Sequence, residues 1–261
     1  MTGSDSADEK LKAEPILSAE RFAYPGRELE AMAGASNYHE WILGIFKPFL
    51  GQHLVEVGAG LGSFSELILK HHSCQTLSLV EPSDRMYEQL VANARRLQAI
   101  TRVETYHGTF RDAAPLINSK QPPDSIIYVN VLEHITDDDS ELHTIHETLS
   151  AAGRVFLFVP ALPWLYGAFD ERVGHVRRYR KSELEKKLER AGFSIVVSTY
   201  FDFPGIAPWW VKYCLLKSAT MEPAGVRFYD RFIVPAARRI EALISPPIGK
   251  NVIAIAQKRQ Q

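Results

Sequence analysis

Short apolar runs alternate with amphipathic segments along most of this chain. Apolar runs bounded by polar turns predict β-strands, and apolar residues that recur every three or four positions predict helices. The predicted strands cover residues 53–57, 76–80, 102–106, 125–129, 154–159, 194–200 and 251–256. The predicted helices cover residues 37–49, 63–71, 84–97, 138–149 and 182–191. This alternation is typical of a doubly wound α/β fold, in which about seven mostly parallel strands carry helices on both faces.

The connection between the last two predicted strands is long and rich in aromatic residues and prolines. A compact domain seldom contains so long a connection without secondary structure. Apolar residues from Tyr229 to Ile244 recur with helical spacing, and Pro235 is expected to kink that helix. We therefore predict a single domain over residues 21–261, with residues 201–249 forming a helical insertion before the last strand.

The charged residues nearly balance. The chain of 261 residues contains 30 Lys and Arg against 31 Asp and Glu, and the basic residues are dispersed. Proteins that bind nucleic acid usually concentrate basic residues on one face, so nucleic acid is not an expected partner. Cys74 and Cys214 have no neighbouring cysteine, and residues 1–20 are polar and acidic, without a signal or transmembrane sequence. These features predict a cytoplasmic protein with a disordered leader over residues 1–20.

A glycine-rich turn follows the first predicted strand, within Leu54-Val-Glu-Val-Gly-Ala-Gly-Leu-Gly62. Gly58, Gly60 and Gly62 remove side chains where the chain turns from strand to helix, so that backbone N–H groups can approach a ligand. Ser63 occupies the position at which a dinucleotide-binding fingerprint has its last glycine, which disfavours a nicotinamide cofactor. The alternative is that the turn only links a strand to a helix.

Two acidic residues near this turn point to a nucleoside ligand. Glu56 lies inside an apolar strand, where a carboxylate needs hydrogen-bond donors or a cationic ligand. Glu81 ends the next predicted strand, at the edge where open α/β sheets bind ligands, and its carboxylate can accept hydrogen bonds from both ribose hydroxyls. Pro82 then directs the chain outward, and Met86, one turn into the following helix, can pack against a flat base.

These motifs resemble those of class I S-adenosylmethionine-dependent methyltransferases. The resemblance covers about residues 37–200 and includes the glycine turn, Val80-Glu-Pro82 and Val129-Asn-Val-Leu-Glu-His134 in the family order. It implies a Rossmann-like fold and the cofactor S-adenosyl-L-methionine, whose product is S-adenosyl-L-homocysteine. It also implies that Glu56 holds the methionine end and that Glu81 binds the ribose. The other contacts that it implies are Gly58, Ala59, Gly60 and Gly62 around the sulfonium and amino acid, Thr109 and Phe110 beside the adenine, and Asn130, Val131 and Leu132 beneath the cofactor.

Two aromatic residues of the N-terminal region are candidates for folding over this cofactor. By analogy with the family, Tyr24 or Tyr38 would donate a hydrogen bond to the cofactor carboxylate. The alternative is simple packing on the outer face of the domain.

Two histidines are candidate general bases. His134 follows the fourth predicted strand, and His175 lies in the polar loop over residues 170–180. The ordinary pKa of histidine, ~6.5, suits the removal of a proton from an acceptor. In ubiquinone-type O-methyltransferases, which this segment resembles, an acidic residue three positions before Glu133 joins a metal site; here that residue is Asn130, so no metal is predicted. The alternative is that Glu133 and His134 only brace their loop.

The acceptor is expected to meet the loop around His175 and the insertion. The run Gly174-His-Val-Arg-Arg-Tyr179 resembles a segment of one branch of these methyltransferases, which is often encoded beside enzymes of lipid-linked sugars or secondary metabolites. Arg177 or Arg178 would hold an anionic group, unless they pair with neighbouring acidic residues. The predicted substrate contacts are Trp164, Tyr166, Arg177, Arg178, Tyr179 and Trp209.

The aromatic run from Ile206 to Leu216 is too short, and too interrupted by Lys212, to cross a bilayer. A lid or pocket wall is its first expected role, and core packing against the sheet, a homodimer contact and a peripheral membrane contact are the alternatives. The sequence thus predicts a methyltransferase that acts on an oxygen or nitrogen of a small molecule or of a lipid- or sugar-linked metabolite. An NAD-dependent oxidoreductase and a non-catalytic cofactor-binding scaffold are the alternatives.

Overall fold

A seven-stranded sheet forms the centre of the protein in a computed structural model that describes residues 35–260. The strands lie in the order β3-β2-β1-β4-β5-β7-β6. Neighbouring strands from β3 to β5 are parallel, whereas β7 runs antiparallel to both β5 and β6. The strands are β1 His53–Val57, β2 Thr76–Glu81, β3 Arg102–His107, β4 Ser125–Val129, β5 Arg154–Pro160, β6 Phe193–Phe201 and β7 Asn251–Lys258.

Helices cover both faces of this sheet. They are α1 Ser36–Phe46, α2 Ser63–His71, α3 Asp84–Leu97, α4 Phe110–Lys120, α5 Asp138–Thr148, α6 Ala168–Val173, α7 Lys181–Arg190, α8 Ile206–Trp209, α9 Pro223–Phe228 and α10 Val234–Glu241. Successive residues of a strand point to opposite faces, so that Ile126 packs with α4, α5 and α7, whereas Ile127 packs with α1, α2 and α3. The predicted doubly wound, mostly parallel, Rossmann-like sheet is thereby confirmed.

Two helices are absent from the prediction. Helix α4 lies between β3 and β4 and begins at a capping box, in which Asp112 accepts a hydrogen bond from the Thr109 backbone and Thr109 accepts one from the Asp112 backbone. Pro115 inside the helix obscured its helical character in the sequence. The short helix α6 lies in the loop after β5, where Gly174 ends it with a left-handed backbone.

The segment between β6 and β7 contains α8, α9 and α10. Wider, π-type turns over Trp210–Leu215 and Tyr229–Ile233 extend α8 and precede α10. Pro235 lies in the first turn of α10, and its missing N–H explains why the preceding turn is wide rather than regular. None of the helices in residues 35–260 has the length and apolar character needed to cross a membrane. The predicted leader and Tyr24 lie outside the described residues.

Candidate active site

A cavity of about 1030 Å³ lies along the carboxyl ends of β1, β2, β4 and β5. The strand order reverses between β1 and β4, and ligands of open α/β sheets bind at such a reversal. The predicted site residues that line the cavity are Tyr38, Glu56, Gly58, Ala59, Gly60, Glu81, Pro82, Met86, Thr109, Phe110, Asn130, Val131, His134, His175, Arg178 and Trp209. We call the part around Glu56, Gly60 and Glu81 the cofactor half, and the part around His134, His175 and Trp209 the acceptor half.

The turn after β1 has a backbone that favours glycine. Gly58, Gly60 and Gly62 have φ angles of +68°, +57° and +83°, which lie in the left-handed region. A Cβ atom on Gly58 would lie 2.5 Å from Cγ2 of Val131, so a side chain does not fit there. A Cβ atom on Gly60 would meet no atom of the described residues within 4 Å. The turn therefore packs tightly against the protein at Gly58 and leaves room for a ligand at Gly60.

Glu81 is held at the end of β2 by two backbone donors. Its Oε2 accepts a hydrogen bond from the Gly60 N–H at 2.8 Å, and its Oε1 accepts one from the Ser83 N–H at 2.9 Å. Burial raises the pKa of Glu81, while these two hydrogen bonds act in the opposite direction. Each carboxylate oxygen can accept a second hydrogen bond, so Glu81 can still bind ligand hydroxyls from this fixed position.

Glu56 is buried in β1 beside the glycine turn. Its carboxylate accepts a short hydrogen bond from the Ser65 hydroxyl. Burial raises the pKa of Glu56 to about 7, the Ser65 hydrogen bond opposes this, and the nearby Glu81 adds to it. A buried carboxylate with a raised pKa gains most from a cationic ligand, because a positive charge offsets the desolvation of the charged form.

The predicted cofactor fits this half of the cavity. Within residues 35–260, neither Glu56 nor Glu81 forms an ion pair with a lysine or arginine. A ligand with a positively charged end and free hydroxyls supplies what these two carboxylates lack. Asn130, with φ +53°, turns the chain after β4 beneath the same space, and its N–H donates to the Phe158 carbonyl oxygen at 2.8 Å.

In the acceptor half, His175 is fixed by an acidic residue of its own loop. Nδ1 of His175 lies 2.7 Å from Oδ1 of Asp170, and Nε of Arg178 donates to the same oxygen at 2.9 Å. Although burial acts to raise it, His175 and Arg178 lower the pKa of Asp170. Asp170 therefore keeps a proton on Nδ1 of His175.

The ring of His134 packs edge-on against His175, with 4.7 Å between the centroids. Its Nδ1 lies 3.2 Å from the carbonyl oxygen of Gly174, which acts as the acceptor and places the lone pair of His134 on Nε2. Burial, followed by the charge of His175, lowers the pKa of His134 to about 4. His134 is therefore neutral at neutral pH.

Glu133 lies behind the two histidines and is fully buried. Neither of its carboxylate oxygens accepts a hydrogen bond from another described residue, and Oε1 lies 3.7 Å from Nε2 of His175. Burial raises the pKa of Glu133 to about 7, whereas His175 acts to lower it. One donor atom each from Glu133, His134 and His175 lies within 4.8 Å of the others.

Both arginines predicted to hold an anionic substrate are engaged inside the protein. Arg178 is buried, pairs with Asp170 and lies over the ring of Trp209 at 4.7 Å. Arg177 pairs with Asp138, with 2.6 Å between Nη1 and Oδ1. The pair of Arg178 with Asp170 matches the alternative that the arginines bind acidic residues of their own loop, whereas the partner of Arg177 belongs to α5.

Several other predicted residues lie outside the cavity lining formed by the described residues. The hydroxyl of the fully buried Tyr179 donates to Oδ2 of Asp138 at 2.9 Å, and that of Tyr166 donates to the carbonyl oxygen of His175 at 2.7 Å. Trp164 is 54% exposed. The remaining two residues are Gly62, which precedes α2, and Leu132, which is buried in the core.

Tyr38 lines the cavity, but its hydroxyl faces the protein. It lies 3.0 Å from Oδ2 of Asp202 and 3.0 Å from Oδ1 of Asn251. Asp202 is fully buried, also accepts from the Tyr229 hydroxyl, and pairs with Lys250 at 2.7 Å. The sequence analysis did not identify Asp202, although the Gly three residues after it was a signal for a turn around its side chain.

The comparisons with known proteins agree with this geometry. A family model described as a methyltransferase domain matches residues 20–198, which is more than half of the chain. A comparison with curated protein sequences finds no match.

Solved structures with low sequence identity share the fold. The YcgJ protein from Bacillus subtilis is 16% identical with a TM-score of 0.55, over 85% of this chain and 100% of that chain. A SAM-dependent methyltransferase from Thermotoga maritima, described as a possible histamine N-methyltransferase, is 18% identical with a TM-score of 0.54, over 88% and 94%. The cyclase SpnF is 15% identical with a TM-score of 0.53, over 86% and 81%.

The family match removes the nicotinamide alternative and identifies S-adenosyl-L-methionine as the cofactor. The strand order and the antiparallel β7 are those of the same class. The chain therefore belongs to the class I S-adenosylmethionine-dependent methyltransferases.

Proposed function

We propose that this enzyme methylates an oxygen or nitrogen of a small molecule, or of a lipid- or sugar-linked metabolite, whose reacting atom lies in the acceptor half of the cavity. The observation that supports the proposal is that one continuous cavity joins the two halves. It includes the glycine turn, His134, His175 and the aromatic side chains of the insertion. A half-open cavity of about 1030 Å³ suits a small acceptor or the end of a larger one.

In the cofactor half, we assign the ribose hydroxyls to Glu81 and the methionine end to Glu56. S-adenosyl-L-methionine, when bound, supplies an electrophilic methyl group on a positively charged sulfur. The backbone at Gly60 leaves open space beside Glu81, and Gly58 keeps the turn close to β4 through its contact with Val131. These residues orient the cofactor, and the positively charged methionine end favours the ionised form of Glu56.

In the acceptor half, His134 and His175 line the cavity and are the side chains that we expect to lie closest to the acceptor atom. In-line displacement requires an approach of about 3–3.5 Å between the reacting atoms, so positioning is a large part of the catalysis. The walls beside the histidines are apolar and aromatic, and include Phe169, Trp209 and Tyr213. A partly apolar acceptor fits these walls best.

The insertion is proposed as a pocket wall. Phe169 of α6 and Trp209 of α8 pack edge-on, with 5.4 Å between their ring centroids. The ring centroids of Trp209 and Tyr213 are 4.5 Å apart. Nε1 of Trp209 donates to the Leu165 carbonyl oxygen at 3.2 Å, which joins the insertion to the loop after β5. These contacts support a wall more directly than a membrane or homodimer contact.

The test combines calorimetry with a methylation panel. The protein should bind S-adenosyl-L-methionine and S-adenosyl-L-homocysteine but not NAD, and should transfer labelled methyl to a hydroxyl- or amine-bearing compound in a panel of small and lipid-linked acceptors. Trp209→Ala should then raise the acceptor KM several-fold without changing cofactor affinity. The neighbouring Trp210, which is 42% exposed, gives a matched control in Trp210→Ala. Cofactor binding without turnover on any acceptor would overturn the proposal.

A further inference from the structure

We propose that Glu133, His134 and His175 bind a divalent transition-metal ion, and that this ion holds and activates a hydroxyl oxygen of the acceptor. The second half of this statement rests on the proposed function, whereas metal binding itself does not. The sequence around Glu133 predicts no metal, because Asn130 replaces an acidic residue. The fold instead supplies a donor from a different loop, since His175 lies 42 residues after Glu133.

The unpaired carboxylate of Glu133 is the first observation. It is fully buried, and neither oxygen accepts a hydrogen bond from another described residue. A buried carboxylate is costly unless it is paired, hydrogen-bonded or bound to a metal. Nε2 of His175 lies 3.7 Å from Oε1 of Glu133, too far for a hydrogen bond. A cation between Glu133 and the histidines resolves this cost.

The orientation of both histidines is the second observation. Metal-binding histidines usually donate one ring N–H to a carboxylate or a backbone carbonyl, which leaves the other nitrogen for the metal. His175 does so to Asp170, and His134 does so to the carbonyl oxygen of Gly174. Arg178 in turn fixes Asp170. Two independent partners therefore fix the orientation of the two rings.

The donor set indicates which metal to expect. The three donor atoms lie within 4.8 Å of one another, so a small movement brings them to metal-bonding distances. Two imidazoles and one carboxylate suit Zn²⁺, Fe²⁺ or Mn²⁺, and three protein ligands leave positions open for an exogenous oxygen. His134 and His175 line the cavity, so these open positions would face the acceptor half.

A cation here changes how the acceptor loses its proton. Metal coordination lowers the pKa of a bound hydroxyl, so that the proton can leave to cavity water. The oxygen electron pair then forms the O–CH₃ bond while the S–CH₃ bond breaks, and the sulfur keeps the pair from that bond. The two histidines act as ligands in this scheme, and the preferred acceptor atom is oxygen rather than nitrogen.

The test is metal binding by the full chain without an acceptor. Chelator-treated protein should bind one equivalent of Zn²⁺ or Mn²⁺ by calorimetry and elemental analysis. Glu133→Gln and His175→Gln should each weaken binding more than about 100-fold, because residues that only orient a ligand already contribute roughly 10- to 100-fold. The controls are Glu141→Gln, a buried glutamate that lines the same cavity, and His143→Gln on an exposed position of α5.

Three outcomes overturn the proposal: no stoichiometric metal in the wild-type protein, unchanged affinity in Glu133→Gln, or equal losses in the controls. The assay also separates this proposal from the proposed function. If metal-free protein methylates its acceptor as fast as metal-loaded protein, the metal role is wrong and the methyltransferase proposal stands. If metal binds at this site but no acceptor is methylated, the site is supported and the proposed acceptor class is not.

Discussion

Buried acidic side chains differ in their partners between the two sides of the cavity: on one side they lack a positively charged partner, and on the other they have one. In the cofactor half, Glu56 and Glu81 contact a hydroxyl and backbone N–H groups, and burial raises the pKa of both. Behind the acceptor half, Asp170 pairs with the buried Arg178, and Asp202 pairs with Lys250. The pKa of Asp170 is lowered despite its burial.

This difference separates ligand-binding charges from structural ones. An acid whose counter-charge is built into the fold connects parts of the protein, as Asp202 connects Tyr38 of α1 with Lys250 beside β7. An acid without one has an unfavourable energy that a cationic ligand can relieve. Glu133 belongs to the second kind although it lies beside the acceptor half, which is why we propose it as a metal ligand.

The largest expected change in stability follows from removing a structural charge. Asp202→Asn should destabilise the protein by about 3–5 kcal/mol, because it leaves Lys250 over the rings of Tyr38 and Tyr229 without a counter-charge. Asn is the appropriate replacement because Asp202 has φ +62°, which asparagine tolerates. Urea unfolding at fixed pH measures the change.

The double variant Asp202→Asn, Lys250→Met provides the control for this charge. Removing the second charge should recover part of the lost stability, since the unpaired ammonium is then absent. A loss of less than about 1 kcal/mol in Asp202→Asn alone, the size of an exposed pair, would mean that Asp202 is not a structural charge.

Removing the charge of Glu56 should stabilise the protein, in contrast to removing the charge of Asp202. A pKa raised from 4.5 to about 7 corresponds to about 3 kcal/mol. Between these values the folded state keeps a proton that the unfolded state has lost, so stability falls as pH rises and the full cost is present above pH 7. Glu56→Gln, which retains an acceptor for Ser65, should therefore stabilise the cofactor-free protein by about 3 kcal/mol at pH 8 and change little near pH 4.

The same variant should bind S-adenosyl-L-methionine more weakly, because the amide cannot balance a cationic ligand. Thermal unfolding of the wild type and variant from pH 4 to pH 8, with and without cofactor, measures both the change in stability and the change in cofactor binding. A difference in stability that is constant with pH would show that Glu56 is already ionised or solvated in the folded state. Ser65→Ala removes the hydrogen bond that lowers the pKa of Glu56, so this variant should lose its stability at a higher pH than the wild type does.

The sequence was sufficient for the fold, and most residues that it assigned to the cofactor line one cavity, because their determinants are local. The apolar pattern predicted β1 and β4 with their observed bounds, and Gly58 to Glu81 lie within one strand-helix-strand unit. Helix α4 was missed because Pro115 masks its pattern, although the Thr109 and Asp112 capping pair was a usable signal.

The acceptor half could not be predicted as an assembled site. Glu133 and His175 come from loops that follow different strands, and Tyr38 reaches Asp202 across 164 residues. Such contacts depend on the packing of whole elements, which the spacing of residues along the chain does not specify. The ion pair between Arg178 and Asp170 was visible as an alternative in the sequence, but its burial was not.

The smallest of these effects should be specific to ligand binding. Glu81→Gln replaces one carboxylate oxygen by an NH₂ group, which then faces either the Gly60 or the Ser83 N–H and also loses a ribose acceptor. Hydrogen bonds to charged groups contribute about 1.5–3 kcal/mol, so the Kd for S-adenosyl-L-methionine should rise roughly 10- to 150-fold. Calorimetry measures this Kd, and steady-state kinetics at saturating cofactor should show an unchanged acceptor KM. If Glu81→Gln instead raised the acceptor KM and left the cofactor Kd unchanged, the division of the cavity into two halves would be wrong at β2.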